Sequence, residues 1–192
     1  MNQTVILVMA AGSSRRFGAD KRQAPFGDTT LLQSTLDSAA QWQESIRVVI
    51  GPDDNKLQEQ LTRQQITAYI AANAKQGMGH SLADAIQQLS ATEPEINRCL
   101  VMLADMPYLK NSTLTVLLSE LEKHELVVPT YNGKRGNPVG FGRSYFDALM
   151  GLTGDKGGKV ILQNAGDAVR EIPVDDPGIL KDIDRPEQIT KP

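Results

Sequence analysis

At 192 residues the chain has the length of one ordinary domain and is long enough to bury a continuous apolar core, with 40% hydrophobic and 22% charged residues that exclude a disordered polymer. Twenty Lys and Arg against twenty-three Asp and Glu give a formal charge of -3, so no broad cationic field awaits a nucleic-acid backbone. No apolar run approaches the ~20 residues of a bilayer span, and no basic-then-apolar leader precedes Thr4, which gives the expectation of a cytoplasmic, membrane-free protein folding as one domain over 1–192.

Thr4 to Met9 is a β-branched apolar run ending at Ala10-Ala11-Gly12, the pattern of a buried parallel strand followed by a tight turn. Leu31, Leu32, Leu36 and Ala39 or Ala40 then recur at helical spacing. Ile46 to Ile50 reads as a second strand closed by Gly51-Pro52, and a polar helix from about Asp53 to Arg63 has Asp53 or Asp54 available as N-cap. Ile66 to Ala71 is a third strand. A helix over Gly77 to Leu89 buries Leu82, Ala85, Ile86 and Leu89, and Cys99 to Leu103 is a fourth strand in which the lone Cys99 is a small core residue. Asn111 or Ser112 caps a helix running to Glu122. Leu126 to Pro129 and Val139 to Phe141 read as strands flanking a turn over Asn132 to Gly136. Helices over Ser144 to Gly151 and Lys156 to Asn164, extended pieces over Val169 to Pro173 and Ile179 to Ile183, and a half-turn from Arg185 complete the chain. This alternation predicts a mainly parallel sheet covered by helices on both faces, with ligands outside the carboxyl ends of its strands.

The segment Met9 to Lys21 packs two glycines, two serines and three cations directly after a buried strand. Small residues let main-chain N–H groups approach phosphate oxygens, Ser13 and Ser14 add donors, and Arg15, Arg16 and Lys21 supply charge, so the loop reads as a phosphate cradle. Its spacing is not that of a Walker loop, because Ala19-Asp20 separate Gly18 from Lys21, nor of a dinucleotide fingerprint, because Ser14 stands at the second glycine position.

The pattern Ala-Ala-Gly-x-Ser-x-Arg-Phe-Gly-x-x-Lys, followed by Pro25-Phe26-Gly27 and Leu31-Leu32, resembles the signature of molybdenum cofactor cytidylyltransferase-like nucleotidyltransferases, a branch of the sugar-nucleotide pyrophosphorylases. The resemblance implies a Rossmann-like three-layer α/β/α fold of nucleotide-diphospho-sugar transferase type, with Arg16 and Lys21 holding the triphosphate. Ala10, Ala11, Gly12, Ser13, Ser14 and Gly18 would line the nucleotide.

Asp105 follows the fourth strand in Ala104-Asp105-Met106-Pro107, where a carboxylate faces the crevice; alone it is as readily a cap or loop residue. The resemblance makes it a metal ligand and catalytic residue beside Arg16 and Lys21. It makes Asp184, in Asp182-Ile183-Asp184-Arg185-Pro186-Glu187, the second ligand, although Arg185 replaces the usual threonine and the two aspartates are equally suited to cap the terminal helix. Gly77, Gly79 and Ser81 match the segment lining the base, with His80 either a donor there or an exposed loop residue. Asn137 and Pro138, where Asn137 replaces a histidine, and Asp155 and Gly157 match acceptor-side motifs.

The implied reaction is transfer of CMP from CTP to molybdopterin or its molybdenum complex, with Mg²⁺ (Mn²⁺ as substitute) and release of pyrophosphate. CTP is favoured because the guanylyltransferase branch usually has Ala-Gly-Gly where Ala10-Ala11-Gly12 stands. Partners implied are the NTP, the phosphorylated acceptor, and a molybdoenzyme or its maturation chaperone. Rivals are a GTP-dependent guanylyltransferase, a sugar-1-phosphate nucleotidyltransferase and a non-catalytic molybdopterin carrier.

Overall fold

The computed structural model describes residues 3–12 and 17–189. In chain order these form β1 (Thr4–Met9), a hairpin of β2 (Pro25–Phe26) and β3 (Thr29–Thr30), α1 (Leu31–Asp37), β4 (Ile46–Ile50), α2 (Asn55–Arg63), β5 (Thr67–Ile70), α3 (Met78–Thr92) and β6 (Arg98–Leu103). There follow α4 (Asn111–Leu121), β7 (Leu126–Tyr131), β8 (Lys134–Arg135), β9 (Val139–Gly142), α5 (Phe146–Met150), α6 (Lys159–Ala165) and β10 (Arg170–Pro173).

The main sheet runs β10-β7-β9-β6-β1-β4-β5, with β8 paired to the end of β7. β1 lies parallel to β4 and β6, β5 is parallel to β4, and β9 runs antiparallel between β6 and β7. Every residue of β1 is buried. Its pleat sends Ile6 and Val8 into a core with Leu32, Leu36, Leu57, Leu61, Leu114 and Leu117 from α1, α2 and α4. Val5, Leu7 and Met9 point the other way, against Leu82, Ile86, Leu89, Phe146, Leu149 and Ile161 from α3, α5 and α6. The result is the mainly parallel, three-layer sandwich that the alternation of elements predicts. The chain runs from β1 outward through β4 to β5, then returns to β1's other side as β6, so the strand order reverses between β1 and β6. A crevice opens there at their carboxyl ends. Among the described residues no helix is long and apolar enough to cross a membrane.

Several local expectations are corrected. Asp54 occupies the N-cap position of α2 without capping it; its carboxylate instead accepts from the Gly51 N–H at 2.7 Å and pairs with Arg22. Neither Asn111 nor Ser112 caps α4, because both lie inside it and its cap position is Lys110. The capping carboxylate comes from Asp176, 63 residues beyond Thr113: one oxygen accepts from the Lys110 N–H (2.9 Å) and the Thr113 hydroxyl (2.7 Å), the other from the Gly178 N–H (2.8 Å). Residues 179–183 are not a strand, since Pro177–Leu180 winds into a 3-10 turn started by that same Asp176. The turn over 132–136 is tighter than expected. Asn132 (φ 49°) and Gly133 (φ 72°) alone make it, both with the positive φ a two-residue hairpin loop requires, and Lys134 and Arg135 already belong to β8.

Asp176 is 1% exposed, so removing its carboxylate strands three donors in the interior. Asp176→Ala is expected to lower urea-unfolding stability by about 3 kcal/mol. A loss below about 0.5 kcal/mol, the range of ordinary surface substitutions, would show that the cap carries little.

Candidate active site

The crevice is assembled from the loops that leave β1, β5 and β6 and from the C-terminal segment. Beyond β1, Ala11 and Gly12 border a cavity of about 600 Å³, within the usual range for small-molecule sites, and Lys21, Gly77, Ser81, Asp105, Asp155, Asp182 and Asp184 also face it. A neighbouring cavity of about 520 Å³ shares Ala11, Gly12, Arg22, Ala74 and Lys75 and extends past Gly18 to Gly51, Pro52 and Asp54.

Lys21 stands on a single 3-10 turn, Lys21–Gln23, whose cap residue Asp20 accepts from the Arg22 N–H at 3.1 Å. From that turn its ammonium pairs with the Asp105 carboxylate and lies 3.6 Å from Asp184 Oδ1. Asp105 sits two residues past the end of β6, and its backbone carbonyl accepts from the Ile183 N–H at 3.0 Å. Ile183 is buried against Phe26 and Leu31, with Phe17, Tyr108 and Ile189 around them. Anchored this way, the segment turns the two aspartates flanking Ile183 towards the cavity, and oxygens of Asp105, Asp182 and Asp184 lie within 4.8 Å of one another.

Burial pushes the Asp105 carboxyl above the usual carboxylate range, opposed by the Lys21 ammonium and reinforced by the negative charge of Asp182. Asp105 Oδ1 is buried with no hydrogen-bond partner, while Oδ2 faces Lys21. The Lys21 ammonium thus faces Asp105 and Asp184, Asp182 adds a third carboxylate to the cluster, and one buried Asp105 oxygen has no hydrogen-bond partner. This donor set fits a hard divalent cation. Such an ion takes oxygen ligands and is commonly held by one or two carboxylates together with phosphate oxygens, which Asp105, Asp182 and Asp184 could supply from the protein side.

Of the residues singled out in the sequence, Lys21, Asp105 and Asp184 come together, and Asp182 joins them. Sequence reading noted Asp182 beside Asp184 without assigning it a role. Ser13, Ser14, Arg15 and Arg16 lie outside the described residues. The Ala10 N–H is committed to the Val49 carbonyl at 2.8 Å and its own carbonyl accepts from Arg22, so Ala10 lines the cavity beside Ala11 and Gly12 without offering it a main-chain donor. Gly18, at φ +74°, borders the smaller cavity only. Ser81 is buried in the cavity wall with its hydroxyl directed to the Gly77 carbonyl at 3.3 Å. His80 belongs to the first turn of α3 and is half-buried, so it is not an exposed loop residue.

Gly77 and Gly79 matter mainly for close approach. The Gly79 N–H donates to the Gly154 carbonyl at 2.7 Å, and a Cβ on Gly77 would sit 2.4 Å from Asp155 Oδ1. The two motifs, far apart in sequence, thus meet and set Asp155 in the cavity wall. Gly157 packs under Met78, outside the lining. Asn137 and Pro138 also lie outside it: the Asn137 N–H donates to the Ile179 carbonyl at 2.9 Å, which fixes that segment against the turn at 177–180.

A mainly parallel sheet with a glycine-containing loop, a lysine and clustered carboxylates at its switch point is the architecture of a nucleotide-handling transferase. Comparison with known proteins gives the same class. Residues 6–169 match the model of the MobA-like NTP transferase domain, and the chain belongs to that family of nucleotidyltransferases. The purine catabolism protein PucB of Bacillus subtilis is 26% identical over 191 residues, covering 94% of this chain and 91% of PucB. The bifunctional protein GlmU of Prochlorococcus marinus is 26% identical over 145 residues, and the matched part is only 32% of that longer protein. A homologue of Rv0371c from Mycobacterium sp. strain JC1 superposes with TM-score 0.80 at 30% identity, over 97% of this chain and 93% of that one. Rv0371c of Mycobacterium tuberculosis in complex with manganese gives TM-score 0.73 at 26% identity, over 90% and 88% of the two chains.

A methyl group at Gly77 or Gly79 meets main-chain oxygens of residues 153–154 at 2.5 to 2.8 Å, whereas one at Gly12 meets nothing within 4 Å. Gly79→Ala is therefore expected to lower stability by about 1–3 kcal/mol in chemical denaturation, and Gly12→Ala by less than about 0.5 kcal/mol. Equal effects of the two would contradict the packing described.

Proposed function

We propose that the protein is a divalent-cation-dependent cytidylyltransferase that moves CMP from CTP to the phosphate of molybdopterin or its molybdenum complex and releases pyrophosphate. The observation that carries this reading is the cluster of Asp105, Asp182 and Asp184 around the Lys21 ammonium, with one buried Asp105 oxygen unpartnered, on the wall of a cavity of about 600 Å³.

In this reading Asp105, Asp182 and Asp184 would hold the cation, which would supply Lewis-acid polarisation and charge neutralisation at the triphosphate. Lys21 turns from Asp105 to the β- and γ-phosphate oxygens as substrate enters, and Arg16 adds a second positive charge there. An acceptor phosphate oxygen attacks the α-phosphorus in line, the bond to the bridging oxygen of the β-phosphate breaks, and pyrophosphate leaves with its charge screened. Alignment and electrostatics suffice, with no covalent enzyme intermediate and no general base. Asp155, in the cavity wall, shapes the acceptor side. The manganese-bound relative supports the assignment of a divalent ion.

Ala11 supports the choice of CTP. It borders both cavities at the position where the guanylyltransferase branch usually has glycine, and that likeness to the cytidylyltransferase branch is what favours CTP.

The test is pyrophosphate release with each NTP in Mg²⁺, using molybdopterin and a sugar 1-phosphate as alternative acceptors. CTP with molybdopterin is expected to give the fastest release, and Asp105→Asn to slow it by about 100-fold or more. Preference for GTP or for the sugar phosphate would transfer the reading to those rivals. Molybdopterin binding without CTP and without pyrophosphate release would make the protein a carrier.

A further inference from the structure

Arg22 borders both cavities, but its guanidinium is turned to the protein. All five of its guanidinium donors are used. Nε donates to Asp20 Oδ1 at 2.8 Å, Nη1 to the Ala10 carbonyl at 2.9 Å and to Asp54 Oδ2 at 2.6 Å, and Nη2 to Asp54 Oδ1 at 2.7 Å and Asp20 Oδ2 at 2.9 Å. Two carboxylates are thus each held in fork geometry, and the side chain is only 13% exposed. Burial acts against both charges of the Arg22–Asp54 pair. Their mutual hydrogen bonds and attraction, with the Gly51 N–H on Asp54, outweigh it, so the Asp54 carboxyl lies below its ordinary range and the guanidinium above its own.

These bonds join three separate pieces of chain: the end of β1 at Ala10, the β4–α2 loop at Asp54, and the residue that caps Arg22's own turn. In a 3-10 turn successive side chains diverge by about 120°, so Lys21 and Arg22 leave the same turn in different directions. One reaches Asp105 across the crevice; the other is fastened to the sheet's carboxyl edge. We infer that Arg22 is a positioning residue: its clamp on Asp54 and Ala10 fixes the turn that aims Lys21 at Asp105 and the triphosphate, and it acts through Lys21 without touching substrate. The inference rests on the nucleotidyltransferase reading for its catalytic consequence, and on geometry alone for the orientation of Lys21. Lysine cannot replace Arg22, because an ammonium spans neither fork.

The experiment has a substrate-free arm and a kinetic arm. In the free protein, the rate at which an amine-acylating reagent modifies Lys21 is followed by peptide mass spectrometry in wild type, Arg22→Gln and Asp54→Asn. Both variants are expected to speed Lys21 modification by about tenfold, the scale of coupling between contacting groups, while more distant lysines such as Lys123 keep their rates. Asp54→Asn keeps the side-chain volume and serves if Arg22→Gln does not fold. An unchanged Lys21 rate overturns the proposal. In the kinetic arm kcat/KM for the NTP is measured for Arg22→Gln, Lys21→Ala and the double variant. A loss of about tenfold for Arg22→Gln in wild type, absent in the Lys21→Ala background, is expected of a residue that acts through its neighbour. Additive losses overturn the proposal, as they would mark a general structural role. If wild type turns over no NTP, the nucleotidyltransferase reading fails while the acylation result still decides the clamp.

Discussion

The structure turns on an ion pair between Lys21 and Asp105, both largely buried, where the ends of β1 and β6 part. Withdrawing an ammonium and a carboxylate from water is costly, and breaking such a pair by removing one partner typically costs about 3–5 kcal/mol. The pair does not stand alone. Asp182 and Asp184 bring two more carboxylates to within 4.8 Å, Asp105 stays above its ordinary pKa, and one of its oxygens lacks a partner. In the proposed reaction the ammonium is exchanged for a metal-bound polyphosphate. The rest of the crevice can be understood as the scaffolding for this exchange.

That scaffolding comes from three directions. The register of β1 and β6 sets the two strand ends side by side, Met9 opposite Leu103, so the loops carrying Lys21 and Asp105 start from a fixed spacing. Ile183 wedges between Phe26 and Leu31, and its N–H bonds the Asp105 carbonyl, which ties the placement of Asp182 and Asp184 to a small apolar cluster outside the two main cores. The Gly77 and Gly79 main chain lies against the 153–155 loop, closing the opposite wall with Asp155. Residues with no chemistry of their own thus decide whether the charged ones meet.

Much of this was legible in the sequence because it is local. The β1 run of apolar residues, the glycines and lysine after it, and the strand-end aspartate at 105 each follow from a pattern a few residues long. The errors share a cause too. Asp54 sits at the cap position of α2 and Asn111 just inside α4, yet neither caps its helix, because Arg22 and Asp176 arrive from elsewhere in the chain and make stronger, buried bonds. Residues 179–183 carry an extended-looking apolar pattern whose burial comes from a 3-10 turn and an isolated wedge. Arg22 itself looks like one more loop cation, and only the fold reveals that its five donors face inward.

The central claim is tested most directly by a crystal structure with CTP and Mn²⁺, located by the metal's anomalous scattering. The account predicts a peak about 2 Å from Asp105 Oδ1 and within reach of Asp182 and Asp184, with Lys21 moved from Asp105 onto the phosphates. A nucleotide bound with the Lys21–Asp105 pair intact and the metal away from all three aspartates would contradict it.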